Sequence, residues 1–328
     1  MTPLHTDRRQ FLLGAAACLA APAFAQGAAW PSPSHTVRII VPQPAGGYTD
    51  QIGRMVQQNL AGAFGTTFIV DNKAGANMRI GVQDLARSAP DGYTFGVVVA
   101  GFVINTSFYA KLPYDPVKDL MGVSLIGVSP LVAAVSNNAP FRTASEVIDY
   151  ARKNPGKVSF GSTGTGSASH LAAELWMART GVTMTHVPYK GSVPGVMDLI
   201  GGQVQLFFDA PSGLVPYAKD GKVRLIGVAS DKRLPMIPEV PTFVEQGFPD
   251  FIASTWAGLL APAGTPKDIV RRVSGQIAKF VRTDELRAKF DAMGTVPAGS
   301  TPEEFDAFMA QETTKWRDVL RAANVKQE

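Results

Sequence analysis

The run Ser159–Leu171, SFGSTGTGSASHL, sets two hydroxyls, Ser167 and Ser169, beside His170. A serine next to a histidine is the start of a nucleophile–base pair, which would make the chain an exported hydrolase. The remaining parts are missing. The sequence has no G-x-S-x-G elbow, and a base also needs an orienting group and a matched pKa. A histidine hydrogen-bonded near a loop satisfies the same letters. Gly164–Ser169, GTGSAS, approaches the G-x-G-x-x-G of dinucleotide sites, but Ser169 stands in place of the third glycine. The next strand, MTHVPYK, ends without an acid to hold a ribose. His35, His170 and His186 are scattered, with no metal-ligand spacing. No cofactor and no metal is expected.

What remains is the gripping of an anion without chemistry. Val41–Asp50, VPQPAGGYTD, is a second glycine-rich stretch between an apolar run and a helical one. Pro42, Pro44, Gly46 and Gly47 let the backbone turn sharply into a helix start, where free amides meet a partial positive charge. Gly161, Gly164 and Gly166, with the hydroxyls of Ser162, Thr163, Thr165 and Ser167, offer the same in the second stretch. The competing reading is that both are ordinary turns. Asp50 is either a ligand group or the acid that suits a helix N-terminus. Asp209, in LFFDAPS, closes a strand, where ligands of such sheets sit.

The elements that would position these loops alternate. TVRIIVP (36–42), TTFIVDN (66–72) and YTFGVVVA (93–100) read as strands, and helical spacing runs from Asp50 through Ile52, Val56 and Leu60 and again over 79–87. The stretch 120–140 reads as two strands, the second carrying the chain into another domain. There the grammar repeats. Helices are predicted over 143–154, 167–179, 193–200 and 212–219, with strands KVSF, MTHVPY, QVQLFF and VRLIGVAS between and after them. STWAGLLAP (254–262) returns the chain to the first domain, and helices near 266–281, 284–292 and 301–322 finish it. The fold class is α/β, with two domains and two chain crossovers.

With 328 residues, of which 45% are apolar, the chain can bury two cores. Its formal charge of +4 is interspersed rather than clustered, which argues against nucleic acid. DRRQFLLGAAACLAAPAFA carries a twin arginine (Arg8, Arg9), an apolar run and a small-residue end at Ala23-Phe24-Ala25. That is an export signal over 1–25, of Tat or Sec type, and the mature protein would be periplasmic. Lipid attachment at Cys18 is disfavoured by Ala15, and cleavage after Ala25 leaves no cysteine.

The motifs PAGGYTD, APDGY, LPYDP, GSTGTGSASHLAAEL, HVPYKG, DLIGGQV, RLIGVAS and WAGLLAPAGTP, colinear from about Val37 to the C-terminus, resemble those of the Bug family. These are extracytoplasmic solute receptors of tripartite tricarboxylate transporters. The resemblance implies a two-lobed periplasmic-binding-protein fold, type II-like, with lobe 1 over 35–132 and 252–328 and lobe 2 over 133–251. It implies a small carboxylate as ligand and inner-membrane transporter subunits as partners, although a sensor for a carboxylate would share the fold. Loop Ala45–Asp50 and the loop around Ser162–His170 would carry the ligand. One motif departs: NKAGANMRIG (72–81) has Ala74 for a family proline and Asn77-Met78 for a glycine pair. With Tyr48 and Phe102 in candidate cleft loops, that suits a flatter, more apolar acid, so a dicarboxylate and an aromatic acid both stay open. Taken with the strand-end position of Asp209, the expected ligand set is Ala45, Gly46, Gly47, Tyr48, Asp50, Asn77, Met78, Phe102, Ser162, Thr163, Thr165, Gly166, Ser167, His170 and Asp209.

Overall fold

The computed structural model describes residues 30–323, 325 and 327. The export signal, with Arg8, Arg9, Cys18 and Ala23–Ala25, lies outside them. In chain order the first elements are β1 (Val37–Val41), α1 (Tyr48–Phe64), β2 (Phe68–Asn72), α2 (Arg79–Ala86), β3 (Thr94–Val99), α3 (Gly101–Phe108) and β4 (Leu120–Pro130). Then come β5 (Val132–Ser136), α4 (Ala144–Lys153), β6 (Ser159–Ser162), α5 (Ala168–Thr180), β7 (Thr185–Pro188), α6 (Ser192–Gly201), β8 (Leu206–Asp209), α7 (Pro211–Lys219) and β9 (Val223–Val228). The chain ends with β10 (Ser254–Pro262), α8 (Lys267–Phe280), α9 (Asp284–Ala292), β11 (Val296–Pro297) and α10 (Pro302–Ala322).

Two sheets result, ordered β11-β4-β10-β3-β1-β2 and β7-β6-β8-β5-β9. They are the centres of two α/β lobes. In the first, β1, β2 and β3 are parallel and β10 runs antiparallel between β3 and β4. In the second, β6, β7 and β8 are parallel and β5 is antiparallel to β8 and β9. Each parallel strand is followed by a helix, so six helices start beyond the carboxyl ends of strands. The chain changes sheet between β4 and β5, at Leu131, and between β9 and β10. There three backbone bonds close a ring: Leu131 donates to Ala253 (2.9 Å), Ala253 to Ala229 (3.0 Å) and Ala229 to Leu131 (2.8 Å).

Local chemistry sets these boundaries. Helix α1 buries Ile52, Val56 and Leu60 along one stripe and stops at Gly65, whose φ of 63° lets its amide reach the Ala61 carbonyl. Helix α10 opens with a reciprocal capping box, Thr301 with Glu304, and Pro302 in its first turn. It packs on β4 and α3 and reaches α5 of the other lobe. Helix α3 is absent from the sequence reading. Its residues Phe102, Val103, Ile104 and Phe108 are all buried, so its apolar residues show no helical period. Strand β11 was also missed, because two residues carry no pattern.

Candidate ligand cleft

The six helix starts meet at one place. A cavity of about 30 Å³ between the lobes is walled by Tyr48 and Thr49 of α1, Asn77 and Met78 at the start of α2, and Gly101 of α3. From the other lobe come Ser167, Ala168 and Ser169 of α5, Ser192 of α6 and Ala210 before α7. Leu131, from the crossover, and Thr255 of β10 complete it with Gln43, Val99, Thr163 and Asp209. The first intrahelical bond of α1 is donated by Gln51 to Gly47, and that of α5 by Leu171 to Ser167. The amides of Tyr48, Thr49, Ala168 and Ser169 therefore precede the helical ladder. Each helix start adds roughly half a positive charge. No lysine or arginine stands in the wall. Backbone dipoles are therefore the source of positive charge in this wall.

The lobes touch around it. A Cβ on Gly46 would lie 3.5 Å from Val193, and one on Gly47 3.8 Å from the Ser192 hydroxyl. A Cβ on Gly191 would lie 3.2 Å from Pro44. A void of this size holds a water or two, so an organic acid enters only when the lobes part. At the mouth a second space of about 60 Å³ shares Gln43, Asn77, Met78 and Thr163, and Lys190 is the one cation in its wall.

The structure brings Tyr48, Asn77, Met78, Thr163, Ser167 and Asp209 of the expected set into the cavity wall. Gly46 and Gly47 sit at the lobe contact instead, and Ala45 is exposed. Gly46 has φ of 90°, a region costly for other residues, whereas Gly47 has φ of −82°. Asp50 does not line the cavity. Its carboxylate accepts the Gly46 amide, Arg54 Nε and Asn72 Nδ2, each at 2.9 Å. Burial raises its pKa, but these three donors and the Arg54 charge outweigh that and hold it below the ordinary value. Asp50 is a brace for the loop. Phe102 is not in the wall either; its ring stacks on Tyr114, 6.3 Å away, inside the first lobe. Thr165 is half-buried outside the wall.

Ser162 and Gly166 shape the second loop. The Ser162 hydroxyl meets His186 Nε2 at 2.7 Å and accepts the Gly164 amide at 3.2 Å. Gly166 has φ of 75°, and a Cβ there would lie 3.0 Å from Phe108 and 3.1 Å from Asn77 of the other lobe. The Ser167 hydroxyl caps α5, accepting the His170 amide at 3.2 Å. His170 Nδ1 accepts the Gly166 amide at 3.2 Å, and Nε2 faces Glu174 at 3.3 Å. Both ring nitrogens are committed away from the Ser167 hydroxyl, so the pair does not form the bond a nucleophile and base would share. Among the described residues no His/Cys/Asp/Glu cluster could hold a metal.

Sequence reasoning missed Ser192, Ala210, Gly101 and Thr255 as wall residues. The only available signal was position: each lies at a strand end or a helix start on the side where the loops gather. Lys73 and Arg79 are spoken for. Lys73 pairs with Asp84 at 2.7 Å, and the Arg79 guanidinium lies 3.7 Å over the Tyr109 ring.

Two α/β lobes, joined by two crossovers and closing on a cavity ringed by helix starts, define the class of two-lobed solute-binding proteins. The sequence profile described as "Tripartite tricarboxylate transporter family receptor" matches residues 52–325, and the chain belongs to that family. It is 36% identical to the "UPF0065 protein in tcbD-tcbE intergenic region" of Pseudomonas sp. (strain P51), over 88% of this chain and 86% of that one. It is 33% identical to "Protein BugT" of Bordetella pertussis, over 90% and 91%. Among solved structures it is similar to "R. palustris Rpa4515 with adipate", with TM-score 0.88, 32% identity and coverage of 91% and 100%. It is likewise similar to "MatC (Rpa3494) from Rhodopseudomonas palustris with bound malate", with TM-score 0.83, 29% identity and coverage of 88% and 100%.

Proposed function

We propose that this chain is a periplasmic receptor that captures a small organic carboxylate between its lobes and delivers it, unchanged, to the membrane subunits of a tripartite tricarboxylate-type transporter. The observation that carries the reading is the meeting of six helix starts, three from each lobe, around one cavity without a basic side chain in its wall. Backbone amides at helix starts suit a carboxylate and give no advantage to a cation or a neutral sugar. The adipate and malate in the two similar structures are acids of that kind. The ring of bonds at Leu131, Ala229 and Ala253 supports a hinge there, with one lobe over 35–132 and 252–328 and the other over 133–251. No helix among the described residues is long and apolar enough to cross a membrane. Residues 1–25 would direct export and be removed.

A thermal-shift screen of organic acids, amines and sugars on the chain from Gln26 tests this. An acid at about 100 times its dissociation constant adds roughly 2.7 kcal/mol of stability, and should be recovered chemically intact. A shift with amines or sugars but with no acid would overturn the reading.

A further inference from the structure

One acid stands inside this acid-binding cavity. Asp209 ends β8 and is 5% exposed. Its Oδ1 accepts its own neighbour's amide, Ala210, at 2.8 Å. Its Oδ2 has no hydrogen-bond partner of ordinary geometry, although the Ser192 hydroxyl stands near the carboxyl. The site is shaped for it: a Cβ on Gly213 would come within 2.5 Å of Oδ2, so the glycine in the first turn of α7 leaves that oxygen its room. Ser169 bonds the neighbouring Phe208 carbonyl and fixes the strand end. A buried carboxyl oxygen without a donor is costly, and neither lysine nor arginine in the cavity wall compensates it.

We propose that Asp209 Oδ2 accepts a hydrogen bond from a hydroxyl or ammonium group on the ligand, so that the captured molecule is a hydroxy or amino acid rather than an unsubstituted alkyl or aryl acid. This rests on the carboxylate reading above. The ligand's carboxylate takes the amides at the helix starts, and its donor group takes Asp209. A plain acid would leave Oδ2 orphaned, and a second carboxylate beside it would meet a like charge.

The surroundings leave Asp209 as the titrating group of the cavity. Tyr48 is the only other titratable side chain in the wall. On α5, His170 faces Glu174 and Arg179 bonds the Pro249 carbonyl. On α6, Asp198 is taken by Tyr189. On α7, Tyr217 and Lys219 lie in its last turn. Strand β5, which pairs Val132 with Asp209, carries no titratable residue. Burial pushes the Asp209 carboxyl up to about 6, against the pull of the Ser192 hydroxyl and the Ala210 amide. A ligand donor favours the ionised form, so its binding would release a proton and strengthen from pH 5 to 7.5. A second carboxylate would share the proton and reverse both signs.

Calorimetry on the mature chain in two buffers of different ionisation enthalpy reads this directly. Three matched sets serve as probes: propionate, lactate and alanine; succinate, malate and aspartate; adipate, 2-hydroxyadipate and 2-aminoadipate. In at least one set a substituted acid should bind about ten- to a hundredfold more tightly than its parent, with proton release. The hydroxy and amino members tell hydroxyl from ammonium. In Asp209→Asn, which keeps an oxygen for the Ala210 amide, that ratio should fall to near one. The wild-type pH profile stands by itself if the variant misfolds. Parents that bind as well as their substituted partners, a ratio that survives Asp209→Asn, or binding that tightens toward acid with proton uptake would each overturn the proposal and leave the carboxylate reading intact. No binding in any set would overturn the proposal for these acids and leave the carboxylate reading to the wider acid screen above.

Discussion

Asp50 Oδ2 accepts the Gly46 amide at 2.9 Å, folding the first loop back onto the opening turn of α1. The same carboxylate holds Arg54 and Asn72. An acid in the first turn of a helix reads in sequence as a dipole partner or a ligand group; here it fixes the loop that presents the amides of Tyr48 and Thr49. Asp50→Ala is therefore expected to lower stability by about 1–3 kcal/mol and to weaken acid binding without changing which acid is preferred. Because the folded pKa is below the ordinary value, this contribution is complete above the unfolded carboxylate's pKa and fades as pH falls through the folded one. Acid denaturation followed by circular dichroism should show a flatter limb below about pH 4 in the variant. A change of ligand preference would return Asp50 to the ligand's own contacts.

Gly46 and Gly47 are adjacent but not equivalent. Only Gly46 lies in the left-handed region, and a side chain there also meets Val193 across the lobe gap. Gly46→Val should cost about 1–2 kcal/mol of backbone strain and lower affinity at least tenfold by holding the lobes apart. Gly47→Ala, with φ of −82° and an ordinary contact to Ser192, should fold normally and lose less affinity. Equal losses in the two variants, measured by calorimetry, would mean that steric closure and not backbone shape governs the loop.

Most of the strand and helix order was legible because short apolar, β-rich runs give way to helical spacing, as between Val41 and Ile52. The placing of the cleft was legible because parallel strands deliver their loops to one side. Side-chain roles inside those loops were not. Asp50 and Asp209 look alike as acids at element ends, yet one is consumed by three donors and the other keeps a bare oxygen. Phe102 looked like a cleft residue because α3, with six of its eight residues buried, offered no helical period to mark it as a helix. Ser192 and Thr255 enter the wall through lobe closure, which joins residues that no local pattern connects.

Ala76, Asn77 and Met78 all have positive φ, at 47°, 47° and 70°. Three non-glycine residues in succession pay for that conformation, about 1–2 kcal/mol each. Asn77 recovers part of it by donating to Asn105 Oδ1 at 2.7 Å, while Asn105 donates to the Asn77 carbonyl at 2.8 Å. Ala76 is exposed and has no such return. Ala76→Gly is expected to raise the melting midpoint by about 2 °C and to leave affinity unchanged, since Ala76 touches only the mouth. A lower midpoint would show that the loop is not strained at this position.

His186 lies face to face with His170, ring centroids 4.0 Å apart and planes 16° from parallel, and its Nε2 meets the Ser162 hydroxyl that anchors the Gly164 amide. Burial, and then the neighbouring His170, push its pKa down to about 3. The unfolded chain takes up that proton near pH 6.5. Between pH 6.5 and 3 the unfolded state therefore binds a proton that the folded state refuses, so stability falls as the solution is acidified through this window and the loss stops growing near pH 3. Replacing the ring by an uncharged group should remove that slope. His186→Gln keeps an amide within reach of Ser162, so its loop and its affinity at pH 7.5 should stay close to wild type. Its melting midpoint should drop less than the wild type's between pH 6.5 and 4. If the two proteins lose stability in parallel across that range, the proton responsible is carried elsewhere, and His186 serves the second loop only as a packed ring.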